Sequence, residues 1–224
     1  MFPDIQNELL ANFASLTMTS ISKLGEGWDN EAYLVNNKIV FKILKQRAKH
    51  IQSETARHAK VEIKLLRFLY NKLPVQTPAI LYATDDGACY GYEYLNGTSL
   101  SLEHLKEGSQ KQSYIKIWVS TAIALERLLS LAEATTLGLE KFQYNAYRLG
   151  RVAEVMKRDL LDSELNQVAQ DCLDHYITEW EDAQLIITHG DAGLGNWIFD
   201  PKSSTYGLID WADACIATAE LQIF

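Results

Sequence analysis

The residues best suited to chemistry lie near the end of the chain. The segment HGDAGLGN, residues 189–196, follows a short apolar run, and Asp210 follows another, fourteen residues after Asn196. Side chains at strand ends are held rigidly at the edge of a core, and glycines let a loop backbone approach a ligand closely. This pattern suits phosphoryl transfer. One carboxylate orients a hydroxyl group, while the Asn oxygen and the other carboxylate hold Mg²⁺.

The elements that must position these residues change in type along the chain. The first part is rich in β patterns with one helix, and a short amphipathic helix precedes it. A turn at Asn36-Asn37 predicts a hairpin within residues 21–44. The helices are Pro3–Phe13 and Ile51–Leu73, and two further strands, Ala79–Ala83 and Ala88–Leu95, flank an Asp85-Asp86-Gly87 turn.

The second part of the chain is predominantly helical before it returns to short strands. Apolar residues at helical spacing predict helices over Ser113–Ala132, Ala146–Leu161 and Ser163–Ala183. A strand, Leu185–Thr188, leads into His189, and a small hairpin over Trp197–Asp200 and Tyr206–Ile209 ends at Asp210. The predicted fold class is therefore α+β, with the boundary between the two parts near Glu93–Gly97.

The pattern HGDxxxxN, followed by Ile209-Asp210-Trp211, resembles the catalytic loop and metal-binding segment of the aminoglycoside phosphotransferase and choline kinase-like family. That family is similar in fold to the protein kinases. The resemblance implies that Asp191 is the catalytic base, that Asn196 and Asp210 are magnesium ligands, and that His189 braces the loop.

Two features of the β-rich part resemble the nucleotide-binding side of the same family. Gly25-Glu26-Gly27-Trp28-Asp29-Asn30 lies between two predicted strands and resembles the loop whose backbone amides face phosphate oxygens. Lys42 interrupts the apolar strand VFKIL, where a cation is costly unless it is paired or bound to an anion. Its position matches the family lysine that contacts the α- and β-phosphates.

Two more features belong to the nucleotide-binding side: an acid on the predicted helix and the end of the last strand. Glu62 lies on the apolar face of the predicted helix with Leu65, Leu66 and Leu69, so it should meet a cation, for which Lys42 is the candidate; Glu54 is the alternative acid. Glu93-Tyr94-Leu95-Asn96-Gly97 resembles the family hinge, and the resemblance implies that backbone groups around Glu93 and Leu95 bind adenine.

The resemblance implies a fold of two lobes, a nucleotide-binding lobe at residues 1–95 and a mostly helical catalytic lobe at residues 96–224. Further helices follow the metal-binding segment in the family. Because this chain ends at Phe224, we expect the catalytic lobe to lack them. Either the chain is truncated, or the acceptor site is formed by the helical segment before His189.

The expected function is ATP- and Mg²⁺-dependent phosphorylation of a hydroxyl group on a small molecule, with GTP as a possible replacement for ATP. An aminoglycoside is the favoured acceptor; choline, a macrolide, a sugar or a hydroxyamino acid are alternatives, as is a nucleotide-binding module with weak or no catalysis. A hydrolase metal held by His175, His189 and Asp191, or a glycosidase pair of Asp191 and Asp210, leaves the glycine loop and Lys42 unexplained.

Composition limits the partners. The formal net charge is −8 and the pI about 5.1, which argues against binding of nucleic acid or anionic membranes and suits a cationic acceptor. The candidate acids for its ammonium groups are Asp159, Asp162, Glu164, Asp171, Asp174, Glu179, Glu181 and Asp182. Three separated cysteines, no signal peptide and no long apolar run predict a cytoplasmic protein of undetermined oligomeric state.

Overall fold

The computed structural model describes residues 2–27, 29–45, 54–106, 108–142, 167 and 185–218. Its N-terminal part is a five-stranded antiparallel sheet with the order β1-β2-β3-β5-β4. The strands are β1 (Ile21–Glu26), β2 (Asn30–Val35), β3 (Ile39–Leu44), β4 (Ile80–Ala83) and β5 (Cys89–Glu93). Two helices, α1 (Pro3–Asn12) and α2 (Glu54–Leu69), accompany the sheet.

The predicted hairpin joins β2 to β3 at Asn36 and Asn37. Both asparagines adopt φ near +54°, a left-handed conformation that Asn tolerates better than most residues. The Asn36 side chain also ties this turn to the segment after α1, because its Oδ1 accepts hydrogen bonds from the backbone N–H groups of Thr19 and Ser20 at 2.7 and 3.1 Å.

Alternate side chains of β3 pack on opposite faces of the sheet, one face covered by α1 and the other by α2. Phe41 and Ile43 belong to the apolar cluster that contains Leu9 of α1, whereas Val40 packs with Ile63 of α2 in a second cluster. Since successive side chains of a strand point to opposite faces, Lys42 shares the α2 face with Val40. The sequence alternation therefore places a cation between the sheet and α2.

The second part of the chain combines helices with short strands. Its helices are α3 (Gly108–Leu128) and α4 (Leu131–Leu137), and its strands are β6 (Thr98–Ser99), β7 (Leu185–Thr188), β8 (Trp197–Asp200), β9 (Thr205–Leu208) and β10 (Cys215–Thr218). β6, β8 and β9 form one sheet, and β7 pairs with β10. A large apolar core joins Leu65 of α2 to Leu125 of α3 and to Trp197 and Trp211, so α2 packs against both parts.

The predicted α+β class, with an N-terminal antiparallel sheet, is confirmed, while several element boundaries are wrong. The single helix predicted over Ser113–Ala132 is divided between α3 and α4, because Ser130 caps α4 in a reciprocal pair of hydrogen bonds with Glu133. α2 ends at Leu69 rather than Leu73, and Asn71 adopts φ +56° just beyond it. Strands β6 and β10 were not predicted.

Other predictions fall on residues outside the described ranges. These are the helices Ala146–Leu161 and Ser163–Ala183, and with them the acids proposed for a cationic acceptor. Within the described ranges, no helix combines the length and the apolar character that crossing a membrane requires.

The Ser130 cap predicts a measurable effect on stability. Substitution Ser130→Ala removes the side-chain acceptor for the Glu133 N–H, and we expect the free energy of unfolding to fall by about 1 kcal/mol. Urea denaturation measures it. Ser120→Ala is the matched control, because the Ser120 hydroxyl donates to the Lys116 carbonyl within α3 and caps no helix end. An equal effect of both substitutions would contradict the assigned cap.

Candidate active site

Lys42 lies at the centre of a buried ion cluster. Its Nζ atom is 3.1 Å from each carboxylate oxygen of Glu62 and 2.6 Å from Oδ1 of Asp210. Glu62 is fully buried and Lys42 is 8% exposed, whereas nearly half of the Asp210 side chain is accessible. The structure therefore pairs Lys42 with Glu62, as the sequence predicts; the side chain of Glu54 lies outside the described residues.

Two uncharged donors complete the surroundings of Glu62. The backbone N–H of Trp211 donates to Oε1 at 3.1 Å, and the Tyr90 hydroxyl donates to Oε2. Lys42, Tyr90 and Trp211 come from β3, β5 and the segment after Asp210, so one carboxylate on α2 joins three separate parts of the fold. This satisfies a buried charge that would otherwise be strongly destabilising.

The ion cluster fixes the charge of its members. Burial alone disfavours the ammonium form of Lys42, but Glu62 and the other nearby groups raise its pKa well above the ordinary value. Burial likewise opposes ionisation of Asp210, and the Lys42 ammonium outweighs it, so the pKa of Asp210 lies below its usual range. Lys42 is thus cationic and Asp210 anionic at neutral pH.

His189 is a neutral, buried brace beneath the loop. Its Nε2–H donates to the Ile209 carbonyl at 3.0 Å, and its Nδ1 accepts from the Asp191 N–H at 3.3 Å. The ring packs on Trp211, with centroids 4.5 Å apart. Burial lowers the pKa of His189 to about 4, so the imidazole keeps one proton and one acceptor nitrogen, as both contacts require.

Gly190 adopts φ +81° and lies against the backbone of Asp213. A Cβ atom at this position would overlap the Asp213 carbonyl group. Glycine is therefore required for the loop 189–196 to approach the segment that follows Asp210.

The Asn196 side chain is held by Asp191, five residues earlier in the same loop. Its Nδ2 donates to the backbone O and to Oδ2 of Asp191 at 2.8 and 3.0 Å. The Ile209 N–H donates to the Asn196 carbonyl at 3.0 Å, which brings the loop next to Asp210. In the described part of the chain, Asn196 Oδ1, Asp191 Oδ1 and Asp210 Oδ2 have no hydrogen-bond partner, so three oxygens remain available to ligands.

The predicted glycine loop forms the end of the β1–β2 hairpin. Gly25 and Glu26 belong to β1 rather than to the loop, and the Gly27 N–H closes the turn on the Asn30 carbonyl at 2.9 Å. Among the described residues, a Cβ atom at Gly25 would meet nothing within 4 Å, and one at Gly27 would meet the Asn30 carbonyl at 3.8 Å. The packing of these residues therefore does not require glycine at either position, which leaves room for a ligand.

The predicted hinge follows β5. Glu93 and Tyr94 use their N–H groups within the sheet, donating to the carbonyls of Ala79 and Lys38 at 2.9 and 2.8 Å. Neither backbone polar group of Leu95 is hydrogen-bonded to any residue within the described ranges. A strand end with unpaired backbone groups suits an adenine ligand, which is recognised through main-chain contacts.

Sequence reasoning missed two members of the cluster around Glu62. Tyr90 is the register partner of Lys42 in the β3–β5 pairing, and Trp211 contributes a backbone group that no side-chain pattern reveals. Correct strand pairing could have identified Tyr90. The Trp211 contact depends on how the segment after Asp210 meets α2.

Comparison with known proteins gives one family. The family model described as "Phosphotransferase enzyme family", APH, matches residues 20–220, most of the chain. This match confirms the predicted family and the predicted enzyme class, a phosphotransferase that acts on an alcohol group.

Several solved structures share the fold of this chain. The GDP complex of wild-type aminoglycoside 2'-phosphotransferase-IIIa has a TM-score of 0.80 and 22% identity, over 96% of this chain and 74% of that one. The streptomycin-ATP-APH(2")-IIa ternary complex gives 0.69 and 20%, over 99% and 74%. Macrolide 2'-phosphotransferase MphH from Brachybacterium faecium gives 0.73 and 17%, over 98% and 75%. The predicted kinase-like fold is confirmed.

The buried pair predicts a large loss of stability on Glu62→Gln. The substitution removes a buried carboxylate that faces Lys42, and we expect the free energy of unfolding to fall by about 3 kcal/mol. Glu103→Gln is the control, since it changes an exposed ion pair with Lys106, and it should leave urea denaturation unchanged. A wild-type urea midpoint for Glu62→Gln would show that the pair does not stabilise the fold.

His189 predicts a specific pH dependence. Its folded pKa of about 4 lies below the ordinary 6.5, so its contribution to stability is complete above pH 6.5 and is lost as the pH falls towards 4. That loss amounts to about 3 kcal/mol. Urea denaturation between pH 6.5 and 4 should show a steeper decline in the free energy of unfolding for the wild type than for His189→Asn. The two proteins have the same carboxylates, so the difference reports His189. Parallel curves would contradict a neutral buried His189.

Proposed function

The chain belongs to the phosphotransferase enzyme family, and we propose that it transfers the γ-phosphate of ATP, with Mg²⁺, to a hydroxyl group of an aminoglycoside. The observation that carries this proposal is the ion cluster of Lys42, Glu62 and Asp210 beside the loop that contains Asp191 and Asn196. It supports the proposal because phosphoryl transfer needs fixed charges around the phosphates and a positioned acceptor for a hydroxyl proton.

The proposed nucleotide site extends from the β1–β2 hairpin to the hinge. We assign the phosphates to the end of the β1–β2 hairpin at Gly25 and Gly27, and the adenine to the backbone carbonyl of Glu93 and the backbone of Leu95. The Lys42 ammonium would bind the α- and β-phosphates. Glu62 holds that ammonium in place, since a paired lysine in a packed cluster loses little further freedom on binding an anion.

The proposed metal ligands fit Mg²⁺ by their chemistry. Asp210 and Asn196 offer hard oxygen donors, and Asp210 is anionic because Lys42 stabilises its charge. Asn196 directs its Nδ2 to Asp191, which leaves its Oδ1 for the metal. Bound Mg²⁺ would neutralise charge on the phosphate oxygens. Oxygens from the phosphates and from water would complete its coordination.

Asp191 is the proposed catalytic base. Asn196 binds Oδ2 of Asp191 and so orients the carboxylate, while Oδ1 is left to accept the proton of the acceptor hydroxyl. His189 and Gly190 support the backbone at this position. A carboxylate held in this way positions the nucleophile for attack along the line of the breaking bond.

The choice of an aminoglycoside rests on charge and on similarity. The chain carries a formal net charge of −8, which favours a polycation over a neutral acceptor. Similar structures include a gentamicin-APH(2")-IIa complex and a GDP and kanamycin complex. A macrolide is the second candidate acceptor, since macrolide phosphotransferases share the fold.

Phosphate transfer can be measured by coupled ADP release with gentamicin, kanamycin, a macrolide and choline, with ATP and then GTP as donor. We expect activity with an aminoglycoside, and we expect Asp191→Ala to lower kcat about a thousandfold because the proton acceptor is lost. Asp85→Asn, in the turn between β4 and β5, is the control and should retain activity.

The same assay separates the alternatives. If every acceptor fails while MgATP still binds by calorimetry, the chain is a nucleotide-binding module rather than a kinase. Retention of full activity in Asp191→Ala would contradict the proposed role of Asp191 and leave the family assignment intact.

A further inference from the structure

Tyr90 lies within the ion cluster and has no assigned role in the proposed reaction. It is 1% exposed and faces Lys42 directly in the register of β3 and β5. Its hydroxyl donates to Glu62 Oε2, and the Lys42 Nζ atom lies 5.9 Å from the centre of its ring. Tyr90 therefore contacts both members of the buried pair.

Glu62 divides its hydrogen bonds among three donors. Each carboxylate oxygen receives one neutral hydrogen bond, from the Trp211 N–H at Oε1 and from the Tyr90 hydroxyl at Oε2. Lys42 lies 3.1 Å from both oxygens but only 2.6 Å from Asp210. Because neutral donors satisfy part of the carboxylate, the Lys42 ammonium is left free to bind a second anion closely.

The phenol is a permanent donor. Burial, together with the Glu62 charge, raises the pKa of Tyr90 well above its ordinary value, so the hydroxyl keeps its proton at neutral pH. Its orientation is also fixed, because the ring is packed with Val40, Ala59 and Ile63 between the sheet and α2.

We propose that Tyr90 is a positioning residue for the nucleotide, because its hydroxyl orients the Glu62 carboxylate so that the Lys42 ammonium is presented to the α- and β-phosphates. This inference rests on the proposed function. Tyr90 does not touch the reacting atoms and acts only through Glu62 and Lys42. Loss of its hydroxyl would leave Lys42 as the one described donor to Glu62 Oε2, so the carboxylate would compete more strongly with the nucleotide for Lys42.

The first test compares two tyrosines that each donate to a glutamate. Tyr90→Phe should weaken MgATP binding, measured by calorimetry, about tenfold, and should raise KM for ATP similarly with little change in kcat. Tyr33→Phe is the control, because Tyr33 is also a buried tyrosine, packs in the cluster of Phe41 on the other face of the sheet, and donates to Glu31 at 3.0 Å. Unchanged ATP affinity in Tyr90→Phe, or equal losses in both variants, would overturn the proposal.

The second test asks whether Tyr90 acts through Lys42. In a Lys42→Met background, Tyr90→Phe should cause no further loss of nucleotide affinity, whereas an undiminished loss would indicate a general structural effect and would overturn the inference. If Lys42→Met does not fold, Glu62→Gln serves as the background with the same expectation.

Stability measurements separate failure of this inference from failure of the proposed function. Without nucleotide, urea denaturation of the Tyr90→Phe and Lys42→Met single and double variants should give non-additive losses, because both side chains bind the same carboxylate. Absence of nucleotide binding by the wild type would refute the proposed function and the nucleotide role of Tyr90 together. Additive losses would overturn only the inference that Tyr90 positions Lys42, and would leave the proposed function intact.

Discussion

The buried carboxylate of Glu62 is the constraint on which the rest of the site depends. A fully buried charge is tolerated only if it is paired and hydrogen-bonded, and here Lys42, Tyr90 and the Trp211 backbone meet that requirement. Because these groups come from β3, β5 and the segment after Asp210, satisfying one charge brings together three distant parts of the chain. The fold and the arrangement of charges around Lys42 thus have a common cause.

Helix α2 contributes residues both to the apolar core and to the ion cluster. Its leucines enter the large core with Trp197 and Trp211, while Ile63 packs beneath the sheet and Glu62 lies between them. Movement of α2 would therefore disturb the apolar core and the Lys42 pair together. This gives the ion cluster a rigid support, which catalysis by prearranged charges requires because reorganisation during the reaction is costly.

The loop 189–196 is held by short-range geometry rather than by charge. Gly190 permits contact with the Asp213 backbone, neutral His189 joins the loop to Ile209, and Asn196 joins it to Asp191. Among the described residues, one oxygen on each of Asp191, Asn196 and Asp210 has no hydrogen-bond partner. A neutral histidine is essential in this arrangement, because a doubly protonated ring could not accept the Asp191 N–H.

Short-range sequence patterns were sufficient to predict several elements of the fold and the family. The β3 alternation placed Lys42 among apolar residues, the Asn36-Asn37 turn predicted the hairpin, and the HGD and IDW segments predicted the family. Tertiary structure decided the rest, since Lys42 and Asp210 are 168 residues apart and their contact depends on how α2 packs. It also revealed Tyr90 and the division between α3 and α4. Periodicity describes one element at a time, whereas burial, protonation and pairing depend on what the remainder of the chain brings to each side chain.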